Sequence, residues 1–493
     1  MRDALKQLRG ESLVYGLGQF GGRAVQLLLV PVLTRVLAPA EYAVSELVVA
    51  YSQTAIFLLV LGMDAALARF FYGATDRAAR IGMTSTSLWF RLALGLAVAL
   101  VLLMLARPIA VSLLGNAVYT KYVAIGAATV PFTLLTLFAN DVLRVTFQPD
   151  KFIAMNLLQT LVAVALALYL VVVRDIGVVG VLYGRLAADG CAALLGLLLL
   201  RHSIRFRFEG ATLRRMLAFG LPLVPAAFAF GLMASLDRFF LLRSHTLADV
   251  GAYSVAMKFF AVATLAVSGF QLAYGPIAYA RAAATGAAAG RMFARVFAGF
   301  AALMAVGGLA ISAAAPLVLE WLVPPVYRDI TVAVAWLAFA AAAYGAYTLA
   351  AIGVSLSLRT WWLAGTAGLA VVVDAVAQAL LTPRFGVAGA AAATCCAYAT
   401  AAVLTYRAAQ HLYPLPYQGA RAAMVLGAGL VLALFVSVPG WIPAGPLGWL
   451  ARAGVVVLFA GVLAVTRAWS LTEAQLARAT AAAREPDRES RED

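Results

Sequence analysis

Long uncharged apolar runs constrain this chain more than any other feature. Leu92 to Leu105, Leu157 to Val173 and Val425 to Val438 each proceed without a single Asp, Glu, Lys or Arg. Extended by their apolar flanks to about twenty residues, such runs reach the length of membrane spans, where no water is available to the backbone, so every peptide group must be satisfied internally. Only bundled helices or a closed barrel achieve that, and barrel strands alternate polar and apolar residues, which these segments do not. The composition agrees: of 493 residues 64% are hydrophobic and 12% charged, against about 25% charged in soluble domains.

The apolar pattern predicts about fourteen transmembrane helices, near residues 12–36, 41–63, 83–106, 121–144, 151–173, 176–200, 217–242, 249–274, 292–319, 327–350, 359–382, 386–410, 419–438 and 446–467, joined by short connections. The first segment is too long for a cleavable signal and should stay as helix one. The net charge of +15 does not point to nucleic acid, because the basic residues sit at helix ends. With the N-terminus in the cytoplasm, about two-thirds of them fall on inner loops and termini, which predicts cytoplasmic N- and C-termini. The densest inner cluster is Arg201, Arg205, Arg207, Arg214 and Arg215. It reads as an anchor on anionic headgroups and as a linker between two halves.

Internal similarity supports two halves. The string DIGVVGVLYG at 175–184 resembles RFGVAGAAAA at 384–393, and EYAVSEL at 41–47 resembles AYSVAMK at 252–258, both displaced by about 210 residues. Six helices per repeat is an even number, so the halves should be parallel repeats. The expected organisation is an N-lobe over 1–200, a basic linker over 201–216, a C-lobe over 217–411, two accessory helices within 412–469 and a cytoplasmic tail over 470–493. Ser470 and Glu473 have capping-box spacing before that tail, which is expected to be disordered from about Pro486.

Three segments carry a family resemblance. LDRFFLLRSHTLADVGAYSVAMKFF at 236–260 resembles the seventh-to-eighth helix region of polysaccharide flippases. GLGQFGGRAVQLLLVPVLTRVLAPAEYAVSEL at 16–47 and LTPRFGVAGAAAAT at 381–394 resemble that family's first two helices and its eleventh-to-twelfth turn. Such proteins belong to the multidrug/oligosaccharidyl-lipid/polysaccharide exporter superfamily. The resemblance implies an all-α polytopic protein with two six-helix lobes around a central cavity plus two extra helices, in the bacterial cytoplasmic membrane. It also implies a function, translocation of an undecaprenyl-diphosphate-linked oligosaccharide from inner to outer leaflet by alternating access, alongside glycosyltransferases and a polysaccharide polymerase.

Ionisable residues at membrane depth are the best site candidates, since each costs at least ~2.5 kcal/mol to insert. Arg23 with Gln19 and Gln26 makes one polar stripe on helix one. Lys258, Arg185 and Arg91 are further intramembrane cations. A diphosphate demands fixed positive charge, which arginine supplies as a planar fork and lysine as a point charge. Competing readings stand beside these: Arg185 and Asp189 have the i,i+4 spacing of an internal ion pair, and Arg91 lies where it would snorkel to the inner interface. Coupling to a proton or sodium would need a carboxylate whose charge changes, for which Asp374 (four residues before Gln378), Glu46 and Asp189 are the candidates, structural salt bridges being the competing reading. Asp237 and Arg238 read as boundary residues that fix a loop.

Other patterns are negative. Gly16, Gly18 and Gly21 spell GxGxxG, but no strand-turn-helix surrounds them, so close helix packing with Gly22 is the better reading. His202, His245 and His411 are far apart, and Cys191, Cys395 and Cys396 lie in apolar runs, so neither a metal centre, a catalytic residue nor a cofactor is expected. The alternatives are a multidrug cation antiporter or a lipid II flippase of the same superfamily, and from another class a membrane glycosyltransferase or glycan polymerase. Short outer loops disfavour the last.

Overall fold

A computed structural model describes residues 29–466 apart from 75, 286–289, 358, 360, 413–418 and 444. The elements are helices: α1 (Leu29–Val36), α2 (Pro39–Leu59), α3 (Met63–Gly73), α4 (Arg77–Met104), α5 (Ala106–Leu114), α6 (Thr120–Val145), α7 (Pro149–Leu168), α8 (Val178–Leu199), α9 (Gly210–Gly220), α10 (Val224–Ser244), α11 (Leu247–Thr285), α12 (Gly290–Leu322), α13 (Thr331–Leu356), α14 (Trp361–Leu412), α15 (Gly419–Ser437) and α16 (Pro446–Val465). Their starts have local causes. Pro39 opens α2, and the Glu41 carboxylate accepts the Ala38 N–H at 3.1 Å. Asp76 accepts from the Ala78 N–H at the head of α4. Thr246 and Asp249 cap each other's backbone N–H at 3.3 and 3.0 Å before α11.

Eleven of the described helical stretches are long and apolar enough to cross a membrane. One of them, α14, is two spans. Thr405 donates to Thr366 at 3.0 Å, whereas 39 residues of continuous helix would hold them ~58 Å apart. The chain reverses at Gly386, whose φ of 55° and ψ of −130° suit glycine alone. Counting this hairpin twice and adding the 21-residue α10 brings the described spans to thirteen. The predicted first span lies mostly outside the described residues. Most of the others match their predicted positions within a few residues, since apolar length dictates both, but α10 begins seven residues later than expected and α11 runs eleven residues past its expected end.

The chain divides into two compact units, Met1–Ser254 and Val255–Asp493, with the boundary inside α11. This is later than the expected break at 201–216, and the reason is packing. Within the first unit the Arg205 N–H donates to Ser85, the Glu209 N–H to Thr86, and the Trp89 indole to the Arg205 carbonyl, so the basic segment is laid along α4. The α9 helix follows and meets the turn before α3 so closely that a Cβ on Gly220 would stand 2.4 Å from the Leu61 carbonyl. Both α3 and α9 lie where only connections are expected from the sequence, being short and amphipathic. Their Met63, Leu67 and Met216 join Leu88, Phe138 and Met155 in one core. Then α10 packs on α2, Thr54 donating to the Gly231 carbonyl at 3.2 Å.

The second unit centres on Phe293, Phe297, Phe300 and Met304 of α12 with Leu349 of α13 and Ala422 of α15. Arg452 of α16 is buried and donates to the carbonyls of Val436, Ile442 and Pro443, which ties the accessory helices together at one end. Each unit also contains one glycine corner. Gly177, between α7 and α8, has φ 59° and ψ −139°, close to the values at Gly386, and the two residues are equivalent in the repeated string read from the sequence.

Candidate functional site

Intramembrane charge in the first unit forms a chain of three residues. Arg91 Nη2 donates to Asp141 Oδ2 at 2.9 Å, and Arg144 Nη2 to Asp141 Oδ1. Arg91 is fully enclosed, while 56% of the Arg144 side chain is exposed. The snorkelling expectation for Arg91 does not hold. The α4 helix begins at Arg77, which puts Arg91 about four turns from its end, and the nearest anionic partner is on α6 instead of at an interface. The Arg91 Nε and Nη1 have no hydrogen-bond partner among the described residues, and Phe138 lies under the guanidinium at 6.0 Å. Asp141 and Arg144 also line a cleft of about 410 Å³ with Gln53, Phe57, Asp64 and Ala227.

About two turns back along α6 from Asp141, at Thr133, Asp189 of α8 is buried and doubly held. Thr133 donates to its Oδ2 at 2.6 Å, and Gln159 of α7 to its Oδ1 at 2.5 Å. The i,i+4 ion pair with Arg185 is therefore not formed. Arg185 is half-buried, makes no ion pair or hydrogen bond among the described residues, and lines a small pocket with Ser52, Thr129 and Thr133. The pocket is otherwise mostly apolar and, at about 10 Å³, holds no more than a water, so what marks Arg185 is a guanidinium at membrane depth with no counter-ion among the described residues.

A further polar cluster joins α10 and α11. Asp237 is fully buried, accepts from the Tyr253 hydroxyl at 2.6 Å and from the Arg238 N–H at 2.6 Å, and lies 3.5 Å from the Arg238 guanidinium. Glu46 is within electrostatic reach of Arg238. Asp237 and Arg238 are thus core residues of α10, two turns before its end, and not the loop-fixing pair expected. Adjacent residues point apart on a helix, but the long arginine folds back to bond the Ala234 carbonyl at 2.9 Å and regains its neighbour.

In the second unit Asp374 and Gln378 share a face of α14, as their spacing predicts, and both are buried. The Gln378 amide reaches Asp374 at 3.5 Å, the Ala390 carbonyl at 3.3 Å and the Thr394 hydroxyl at 3.4 Å, while Thr382 donates to Gln378 Oε1 at 2.6 Å. Lys258 is half-buried in α11, two residues from Phe260, which stacks on Tyr398 at 5.6 Å. Arg23, Gln19, Gln26, the glycines at 16–22, Ser470 and Glu473 lie outside the described residues. Among the described residues no His, Cys, Asp and Glu group could hold a metal.

Sequence reasoning did not single out Thr133, Gln159, Tyr253 or Arg144. Arg144 carries a signal that was legible, an arginine three residues after an aspartate at the end of an apolar span.

Known proteins give the chain its context. A profile of the polysaccharide biosynthesis protein family matches residues 32–323. No curated protein sequence matches. Among solved structures, the lipid II flippase MurJ in an inward closed conformation aligns with a TM-score of 0.68 at 10% identity, covering 91% of this chain and 97% of that one. An outward-facing multidrug resistance MATE family transporter of the MOP superfamily gives 0.61 at 17%, covering 85% and 98%. A point mutant of the Vibrio cholerae MATE transporter VcmN gives 0.60 at 17%, covering 83% and 96%. The chain is a multi-pass membrane protein that belongs to the polysaccharide biosynthesis protein family and has the fold of MOP-superfamily transporters.

Proposed function

We propose that this protein flips an undecaprenyl-diphosphate-linked oligosaccharide from the inner to the outer leaflet of the bacterial cytoplasmic membrane by alternating access, with both termini in the cytoplasm. Family membership supplies the polysaccharide context, and the fold likeness to a lipid II flippase supports a lipid-linked cargo. Arg185 is the observation that carries the reading: a half-buried guanidinium inside a span, with no ion pair or hydrogen bond among the described residues, suits a diphosphate. Arg23, Lys258 and the Gln19–Gln26 stripe extend that role. Arg91, tied to Asp141, takes a structural part as the counter-ion of that carboxylate. Asp374, Glu46 and Asp189 are the carboxylates proposed to answer a proton or sodium gradient, Asp374 being buried beside Gln378 on one face of α14. Cooperation with glycosyltransferases and a polymerase follows from the cargo.

The test is export. Arg185→Ala should insert normally yet leave surface glycan greatly reduced, with lipid-linked oligosaccharide accumulating on the inner leaflet, and Arg185→Lys should recover part of it. Full export in Arg185→Ala would remove the assignment. The fold likeness to MATE transporters favours a second reading, a multidrug antiporter. A deletion strain with normal surface glycan and heightened sensitivity to cationic drugs would select it.

A further inference from the structure

We infer that Arg144, together with the cleft it shares with Gln53 and Asp64, forms an entry subsite for the prenyl diphosphate end of the cargo, separate from Arg185. The inference rests on the lipid-linked cargo proposed above and adds where the headgroup is first held.

Charge arithmetic makes the case. Asp141 carries one negative charge and is bonded to two arginines. Arg91 is sealed in protein and its charge has nowhere else to go, so it claims Asp141 as its counter-ion. Within this triad one positive charge is left over, and it resides on the exposed member, Arg144, at the wall of a cleft whose other carboxylate is Asp64, which makes no ion pair with Arg144 among the described residues. Asp141 thereby orients the Arg144 fork without neutralising it. A bidentate guanidinium with a free edge is the side chain best shaped for phosphate oxygens.

The rest of the cleft fits the same occupant. Ile56, Phe57 and Val60 offer an apolar wall for the first isoprene units, while Gln53 and the exposed Asp64 offer donors and acceptors for hydroxyl groups. A volume of about 410 Å³ suits a headgroup and not a whole oligosaccharide. The lining comes from the last turns of α2 and α6 and the first turns of α3 and α10, so the cleft opens at the end of the unit where the basic segment 201–215 lies. By the charge bias this is the cytoplasmic side, where lipid-linked sugars are assembled. A lipid-anchored anion meets this cleft before it meets Arg185, which lies farther along the spans.

The experiment measures binding of farnesyl diphosphate to the full-length protein in phosphatidylcholine nanodiscs, with farnesol as the uncharged reference. Wild type should prefer the diphosphate, and pyrophosphate should compete. Arg144→Gln should weaken diphosphate binding about tenfold or more, the loss of one charge-assisted contact, with farnesol unaffected. Arg144→Lys should lose only part of it, and Arg207→Gln on the basic segment should match wild type. Equal binding by Arg144→Gln and wild type overturns the subsite alone. No preference for diphosphate over farnesol in wild type overturns both the subsite and the cargo reading. Displacement of the probe by phosphatidylglycerol at equal concentration overturns it in favour of a general lipid-headgroup site.

Discussion

Replacing Asp141 with leucine strands the Arg91 guanidinium in a protein interior where Nε and Nη1 already lack partners. At 2.9 Å and an effective dielectric of ~20, the pair attracts with a gross energy of about 6 kcal/mol. Desolvation offsets much of that, and breaking one side of a buried pair costs about 3–5 kcal/mol. The reciprocal change is milder. In Arg91→Met the Asp141 carboxylate keeps Arg144, which is exposed and adjusts freely, so about 1–3 kcal/mol is lost, the range for a single charged hydrogen bond and its cavity. The double variant removes both charges and should lie closer to wild type than Asp141→Leu does, since apolar replacement of a whole buried pair is often neutral. Thermal denaturation of a fluorescent fusion, followed by size exclusion in detergent, ranks the three. The order expected is wild type, then Arg91→Met or the double variant, then Asp141→Leu. Equal stability of the two single variants would refute the asymmetry, and with it the assignment of Asp141 to Arg91 in preference to Arg144.

Gly177→Ala adds a Cβ that meets nothing within 4 Å, so its cost, about 1–3 kcal/mol in thermal stability, is the backbone conformation alone; no loss would mean that the corner relaxes. Arg452→Leu removes three donors from carbonyls at the end of α15, and hydrogen exchange over 436–443 should rise at least tenfold while exchange in α6 stays unchanged. For topology, Asn116→Cys should label with an impermeant thiol reagent from outside intact cells, and Arg207→Cys only after permeabilisation. The reverse pattern would invert the orientation.

What the sequence made legible is what apolar length and local spacing encode. The spans, the Asp374–Gln378 face and the α14 reversal at the RFGVAG string were all readable from neighbours within one or two turns. What escaped depends on partners distant in sequence. Arg185 and Asp189 had the spacing of a pair, yet Thr133 and Gln159, 56 and 30 residues before Asp189, take the carboxylate. Arg91 lies deeper than its apolar run alone implies because the helix starts at Arg77, six residues before that run, and its partner sits 50 residues on. The α3 and α9 helices were missed since eleven residues of mixed polarity carry no membrane signal, and only their packing on α4 and on each other makes them helices of the core.

The matched glycine corners bear on ancestry. If the halves arose by duplication of one six-helix gene, their side chains have since drifted until only scattered identities remain, because many residues fill an apolar span equally well. The corner could not drift, since no other amino acid enters that backbone conformation cheaply. Gly177 and Gly386 are therefore the better fossils. A search for half-length relatives should weigh a glycine at that turn above any stretch of leucine and alanine.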